Sequence, residues 1–473
     1  MNRLKWVTIA ACLAAAVLAP QAAAAADRMY IGFQDDPSFR FRDKRQANLD
    51  QAEAANATII RSQVSWAQVV PTRPANGAQP FDAAYSRLAD VDEFVRQAQR
   101  RGIEVLLTIY GTPSWANGGK RPNVAPRNMK DLTNFAHALA ARYSGRYPGY
   151  PYVRFFSVWN EPNLDQFLTP QFDGSGRDVA PALYARMYRA AYSGIRAGNP
   201  KALVAIGETS ARGHDKPTKG VVQDSHSPGK FAQLVAKADR SLRFDAWAEH
   251  PYPFTPSQPP TARVRLPNVS LGQIPEFQKL IDKAFNRKTT PIWITEYSHE
   301  TKPQDSKGVS YATQAAYART ALSVAKNNPS ITMFIWFVLR DDPSDPWQSG
   351  LLDESGSRKP AFAAFTAAAA QLDIRNAIVR VRAKKARPTV RVSALELAGR
   401  DGAGAKVGVT YKVAFKNTVV IVDQPLRTID PDGWITLPLD FTPQPKRSYT
   451  ATIDIGDANG NHVKRTLTLV SAS

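Results

Sequence analysis

Eight times between residues 28 and 370, a short apolar run is followed by a stretch whose apolar residues recur at helical spacing. The runs fall at 29–33, 57–64, 103–110, 153–159, 202–206, 244–248, 291–295 and 331–338. Between them lie segments such as 82–101, 129–147, 182–197, 275–285 and 311–327, and 360–372 closes the series. Val91, Phe94 and Ala98, and likewise Leu132, Phe135 and Leu139, fall three or four residues apart, as one helix face packed on a sheet requires. Runs such as Val-Leu-Leu-Thr-Ile-Tyr (105–110) are almost continuously apolar, the pattern of parallel strands buried on both faces. Eight such units in roughly 340 residues predict an α/β fold, a closed (β/α)8 TIM barrel over 27–374. An open doubly wound sheet is disfavoured, because no glycine-rich phosphate turn follows the first run.

After Leu372 the texture changes. Strand-like alternation at 389–395, 406–415, 434–441, 449–455 and 466–470 is punctuated by the turn pairs Asp401-Gly402, Asp432-Gly433 and Asn459-Gly460. These runs predict a small all-β sandwich over 389–473, immunoglobulin-like, serving as an accessory module with a structural role ahead of carbohydrate binding. The basic stretch 380–387 falls within a predicted linker, 375–388.

Residues 1–26 read as a secretory signal peptide. Arg3 and Lys5 precede an apolar run from Trp6 to about Pro20, and small residues lead up to Asp27. The run is short for a membrane-spanning helix, so the expected product is secreted, extracellular or bound to the cell wall, and free of the membrane. The chain's one cysteine, Cys12, lies inside that leader, which leaves no disulfide and no thiolate metal site downstream. The formal charge is +20, or +18 without Arg3 and Lys5. It is spread along the chain, with no helix-turn-helix or zinc-finger spacing, so an anionic glycan suits it better than nucleic acid.

Chemistry concentrates at two glutamates. Glu161 ends Ser-Val-Trp-Asn-Glu (157–161) and Glu296 ends Pro-Ile-Trp-Ile-Thr-Glu (291–296), just past the fourth and seventh strand candidates. In such barrels function sits at the carboxyl ends of the strands. Two carboxylates converging there are what acid-assisted cleavage of a glycosidic bond needs: one protonates the leaving oxygen while the other attacks. Either glutamate alone is equally readable as an exposed helix-start carboxylate.

Trp-Asn-Glu-Pro-Asn (159–163) after the fourth strand, with Ile-Thr-Glu-Tyr (294–297) after the seventh, resembles clan A glycoside hydrolases, among them families 5 and 39. The resemblance spans about 28–370 and implies a retaining O-glycosyl hydrolase acting on a polysaccharide or oligosaccharide. It implies Glu161 as acid/base, Glu296 as nucleophile, and Asn160 as the residue bonded to the sugar 2-hydroxyl. Arg61 matches the arginine that keeps the nucleophile ionised, with a purely structural ion pair as the alternative. His250 and Tyr252 resemble a sixth-strand His-x-Tyr pair, in which the tyrosine orients the nucleophile. The histidine could equally contact substrate or be a satisfied buried imidazole. Trp336 resembles the tryptophan flooring the cleaved sugar's subsite. Trp66, Trp115 and Trp347 are further stacking candidates, each also readable as packing.

Glu208, Glu249, Asp341 and Asp342 lie near strand ends as competing carboxylates, with substrate-binding or structural roles. The histidines show no His-x-x-x-His spacing, so no metal or cofactor is expected. Asp224 and His226 suggest a cation loop but read better as solvated polarity, and 457–461 reads better as an Asn-Gly hairpin than as a calcium loop. A monomer is expected. The competing function is a non-catalytic glycan- or cell-wall-binding protein on the same scaffold.

Overall fold

The computed structural model describes residues 28–41, 44–219, 222–345, 347–402, 404–415 and 418–471, so the leader at 1–26 lies outside the described residues. Eight parallel strands close into a barrel in chain order: β1 (Tyr30–Gln34), β2 (Ile59–Ser65), β3 (Glu104–Tyr110), β4 (Phe155–Val158), β5 (Leu203–Ser210), β6 (Ala246–His250), β7 (Ile292–Tyr297) and β8 (Ile331–Phe337). Each strand coincides with one predicted run.

The twofold alternation of side chains along a strand sorts the core into two shells. Ile59, Leu106, Phe155, Ala205, Ala246, Ala248, Trp293, Met333 and Ile335 fill the barrel interior. Their neighbours in sequence, such as Ile60, Leu107, Phe156, Trp247 and Phe334, pack outward under the helices. The same parity stacks Ile59, Arg61 and Gln63 upward on β2, and Leu106 and Thr108 on β3. Polar side chains therefore reach the barrel's carboxyl end on an apolar floor.

Beyond the barrel, a five-stranded sheet has the order β12 (Thr418–Thr428), β11 (Lys406–Phe415), β14 (Ser448–Gly456), β15 (His462–Ser471), β9 (Ile378–Val381). A two-stranded sheet pairs β10 (Thr389–Ser393) with β13 (Trp434–Pro438), and both sheets share one apolar core. The predicted linker is thus partly structural: Ile378–Val381 pairs parallel with β15, which makes the larger sheet mixed. A seven-residue helix, Leu395–Asp401, lies between the strand predicted to end at Leu395 and the predicted Asp401-Gly402 turn, in a region expected to be all β. Residues 457–461 do form the β14–β15 turn, with Asp457 accepting from the backbone N–H of Asn459 and Asn461.

This β region docks on the barrel away from the carboxyl ends of its strands. Arg100 Nε donates to Gly399 O (3.2 Å), and Trp434 lies beside Glu104, the first residue of β3. A Cβ at Gly399 would fall 2.5 Å from Arg100 N, so the close approach requires glycine there.

Candidate active site

Glu296 is held from both sides at the end of β7. Arg61 Nη1 donates to its Oε1 (2.5 Å) and the Tyr252 hydroxyl to its Oε2 (2.8 Å). Arg61 has no solvent exposure; it also donates to Thr108 Oγ1 (2.8 Å) and Asn160 Oδ1 (2.7 Å) and lies 3.1 Å from Glu208. Burial works against its charge, but Glu208 and Glu296 more than offset that, and the guanidinium is more basic than usual. Burial and the adjacent Glu296 carboxylate push the Tyr252 phenol well above its ordinary range, so it remains a donor.

Asn160 Oδ1 also accepts from Gln63 Nε2 (3.1 Å). Two donors on one oxygen fix the amide orientation and leave Nδ2 as a donor for the cleft that Asn160 lines.

Glu161 follows β4 in a left-handed conformation (φ 41°), and its backbone N–H donates to Glu208 O (2.8 Å). Its Oε1 accepts from His250 Nδ1 (3.0 Å), while His250 Nε2 donates to Glu208 Oε2 (2.8 Å). Burial opposes an imidazolium, but Glu296, Glu161 and Glu208 outweigh it and lift His250 to about 10. Burial likewise opposes the Glu208 carboxylate, yet Arg61 and His250 bring it down to about 2. One carboxylate oxygen of Glu161, one of Glu296 and a ring nitrogen of His250 all lie within 4.8 Å of one another. Among the described residues these three are the one group spaced to hold a metal ion. His250, protonated at both nitrogens, offers a cation no lone pair.

The carboxylate pair lies in a cleft of about 850 Å³, walled by Leu164, Arg212, Asp224, Phe254, Phe337 and Trp347 among others. Gln63, Phe337 and Trp347 also wall an adjoining pocket of about 270 Å³ that holds Gln34, Asp36 and Tyr110.

Residues 31–340 match the cellulase family, glycosyl hydrolase family 5. The chain belongs to that family. It is a glycoside hydrolase of clan A, and its substrate is a carbohydrate. No curated protein matches it in sequence. Among solved structures, a family 39 glycoside hydrolase from the gut symbiont Bacteroides cellulosilyticus WH2 has a similar fold, at 18% identity and TM-score 0.53, over 88% of this chain and 81% of that one. A family 5, subfamily 18 protein from Streptomyces cattleya, solved with GlcNAc, gives 17% and 0.53 over 76% and 85%. A subfamily 18 protein from Bifidobacterium longum subsp. infantis gives 18% and 0.51 over 75% and 83%.

The cleft end of the barrel brings together Glu161, Glu296, Asn160, Arg61, His250 and Tyr252, all singled out in the sequence. Trp336 is corrected, while Trp66 and Trp115 take the packing alternative. Trp336 is fully buried in the shell under the helices, its indole N–H donating to Ser349 O (2.9 Å). The alternation from Met333 and Ile335 instead points Phe337 at the cleft. Trp66 is fully buried, stacked on Phe135 with ring centroids 5.3 Å apart. Trp115 packs edge-on against Trp66, donates to Val70 O and lies under Arg73. Trp347 does reach the cleft, 38% exposed, its ring 5.2 Å from Tyr252 and 5.9 Å from Phe337.

The competing carboxylates separate cleanly. Glu249 points outward to Thr209 and Trp247, and burial drives its carboxyl well above the usual range. Asp341 pairs with buried Lys359 (2.5 Å). Asp342 lines the adjoining pocket, and Glu208 lies behind Glu161 and Glu296, bonded to His250. His226 is no cation ligand: it is buried, stacked on Phe172 and clamped between Gln171 (2.8 Å) and Asp178 (2.9 Å). Gln63, Thr108, Thr295 and Phe337 were not read from sequence. For Phe337 and Gln63 the signal was strand parity counted from the apolar floor.

Proposed function

We propose that this family 5 enzyme is a secreted glycosidase that cleaves a polysaccharide or oligosaccharide with retention, Glu161 acting as acid/base and Glu296 as nucleophile. The observation carrying this reading is the approach of the two carboxylates to within 4.8 Å in the wall of a long cleft. A separation on the order of 5 Å leaves no room for a water between carboxylate and anomeric carbon, so the carboxylate itself attacks.

In the first step the Glu161 carboxylic acid gives its proton to the glycosidic oxygen as the bond from that oxygen to C1 breaks. An oxygen of Glu296 bonds to C1, forming a glycosyl ester. In the second step Glu161, now a carboxylate, takes a proton from water as the water oxygen bonds to C1. The ester C–O bond breaks, Glu296 leaves as a carboxylate, and the sugar keeps its anomeric configuration. Arg61 and Tyr252, each donating to one oxygen of Glu296, hold and aim its carboxylate. Asn160 Nδ2 serves a sugar hydroxyl.

The cleft continues past Phe337 and Trp347 into the adjoining pocket, which supports a substrate of more than one sugar unit. Export rests on the leader sequence, residues 1–26. A polysaccharide panel with product sizing, run on wild type, Glu161→Gln and Glu296→Gln, tests the assignment. Each variant should lose orders of magnitude in turnover, with Glu161→Gln retaining glycosylation on substrates with activated leaving groups. Full activity in either variant overturns the roles, as does a wild type that binds glycan without releasing reducing ends.

A further inference from the structure

Among the buried carboxylates without a part in the two-step reaction, Glu208 is the one bonded to His250 and paired with Arg61. β5 reaches it through Gly207 (φ 103°), and the β5–β6 ladder skips a residue between Gly207 and Thr209. A Cβ at Gly207 would fall 2.7 Å from Ala248 O and from the Trp247 ring, so only glycine lets the strand through. The bulge turns Glu208 inward, itself at φ 53° and without solvent exposure. A non-glycine residue in this region is strained and persists only where its surroundings hold it. Here the hold is mutual, because Glu208 O accepts the N–H of Glu161, the other strained carboxylate.

One oxygen of Glu208 collects both cations of the site. Oε2 accepts from His250 Nε2 (2.8 Å) and Thr295 Oγ1 (2.8 Å) and lies 3.1 Å from Arg61 Nη2. Those cations in turn hold the reacting pair, His250 on Glu161 and Arg61 on Glu296. The imidazole is faced by Glu161 after β4, Glu208 from β5 and Glu296 from β7 (3.7 Å), with Tyr252 edge-on at 6.5 Å and Glu249 beside it on β6.

We propose that Glu208 is a positioning residue for the reaction, holding His250 as a doubly donating imidazolium against Glu161 while it orients Arg61 against Glu296. This rests on the catalytic roles given above. Before glycosylation Glu161 is protonated and Glu296 charged; in the glycosyl ester Glu161 is charged and Glu296 is not. The cations Arg61 and His250 then balance two anions at both stages, but only when Glu208 is counted. Without its charge, the buried cluster carries a net positive charge throughout the cycle.

The test combines 15N NMR of histidine-labelled enzyme with kinetics on substrates of graded leaving-group ability. In wild type both His250 nitrogens should stay protonated from pH 5 to 9. Glu208→Gln keeps the shape and an acceptor oxygen but drops the charge. It should bring His250 titration into the neutral range and lower kcat about 100-fold on unactivated substrates, with KM changed less than about threefold. Substrates with good leaving groups, which need no proton from Glu161, should lose less than about tenfold. Thr295→Val removes a donor to the same oxygen without altering charge; it should lower the melting temperature while leaving His250 protonation and leaving-group dependence unchanged. The proposal fails if wild-type His250 titrates near its ordinary value, if Glu208→Gln keeps wild-type kcat, or if Thr295→Val reproduces the Glu208→Gln pattern. Should Glu208→Gln not fold, the wild-type titration and Thr295→Val still decide. The NMR readout needs no sugar, so its failure is distinct from failure of the catalytic roles, which would show as activity in Glu161→Gln or Glu296→Gln.

Discussion

Replacing Arg61 with methionine should cost this barrel stability in a way that depends on pH. The guanidinium is fully buried and serves Glu296, Glu208, Asn160 and Thr108 at once. Methionine fills similar space but leaves two carboxylates short of a cation. Breaking a buried pair from one side costs about 3–5 kcal/mol. The electrostatics of Glu208 point the same way: burial opposes its charge, and Arg61, together with His250, more than offsets that and brings it down to about 2. For a cooperative unit of about 340 residues the unfolding entropy is roughly 0.7 kcal/mol/K, so the melting temperature should fall by about 4–7 °C at pH 7. The sign follows from linkage. A carboxyl whose folded pKa is depressed contributes stability above its unfolded pKa and loses it as pH falls toward the folded value. The gap between wild type and Arg61→Met should therefore be full at pH 6–7 and narrow steadily below about pH 4.5. Calorimetry at matched scan rates across that range reads it directly. A drop under 1 °C, or one that does not change with pH, would refute the view that Arg61 is the charge partner of these carboxylates.

Trp347→Ala should raise KM about 30-fold with little change in kcat: a sugar covering the exposed ring area, roughly 90 Å², is worth about 2 kcal/mol of binding shared by ground and transition states. Steady-state kinetics on any cleaved oligosaccharide checks this, and an unchanged KM removes Trp347 from the binding surface. Trp336→Phe should leave kcat and KM within about twofold while lowering the melting temperature, since that ring packs under the helices and loses its bond to Ser349. A large rise in KM would restore Trp336 to the substrate. Gly399→Val should loosen the β region from the barrel, visible as lower thermal stability with unchanged kcat, because the new Cβ meets the Arg100 backbone. A matching loss of kcat would tie that region to catalysis.

The barrel was legible because its strands are unbroken apolar runs and its helices carry one apolar face, both properties of short sequence windows. The carboxylate pair was legible for a related reason: each glutamate directly ends such a run. The tryptophan error came from treating a strand end as a place when it is also a parity. Met333, Ile335 and Phe337 face inward, so Trp336 cannot. Glu208 was readable only as one carboxylate among several, because its inward turn depends on a bulge next to Gly207, and a bulge resets parity without any apolar signature. In the β region, Ile378–Val381 was hidden in a basic, linker-like stretch, and its partners on β15 lie ninety residues on. The helix Leu395–Asp401 was missed because its few apolar residues fit a strand end equally well.

The central claim is that Glu296 bonds to the sugar that Glu161 protonates. The most direct measurement is to trap that bond with an activated 2-fluoro sugar of whatever type the panel shows to be cleaved, then locate it by peptide mapping and mass spectrometry. A single adduct on the peptide containing Glu296, formed faster than it turns over, is the predicted result. An adduct on Glu161 or Glu208, or products of inverted anomeric configuration from the unlabelled substrate, would contradict it.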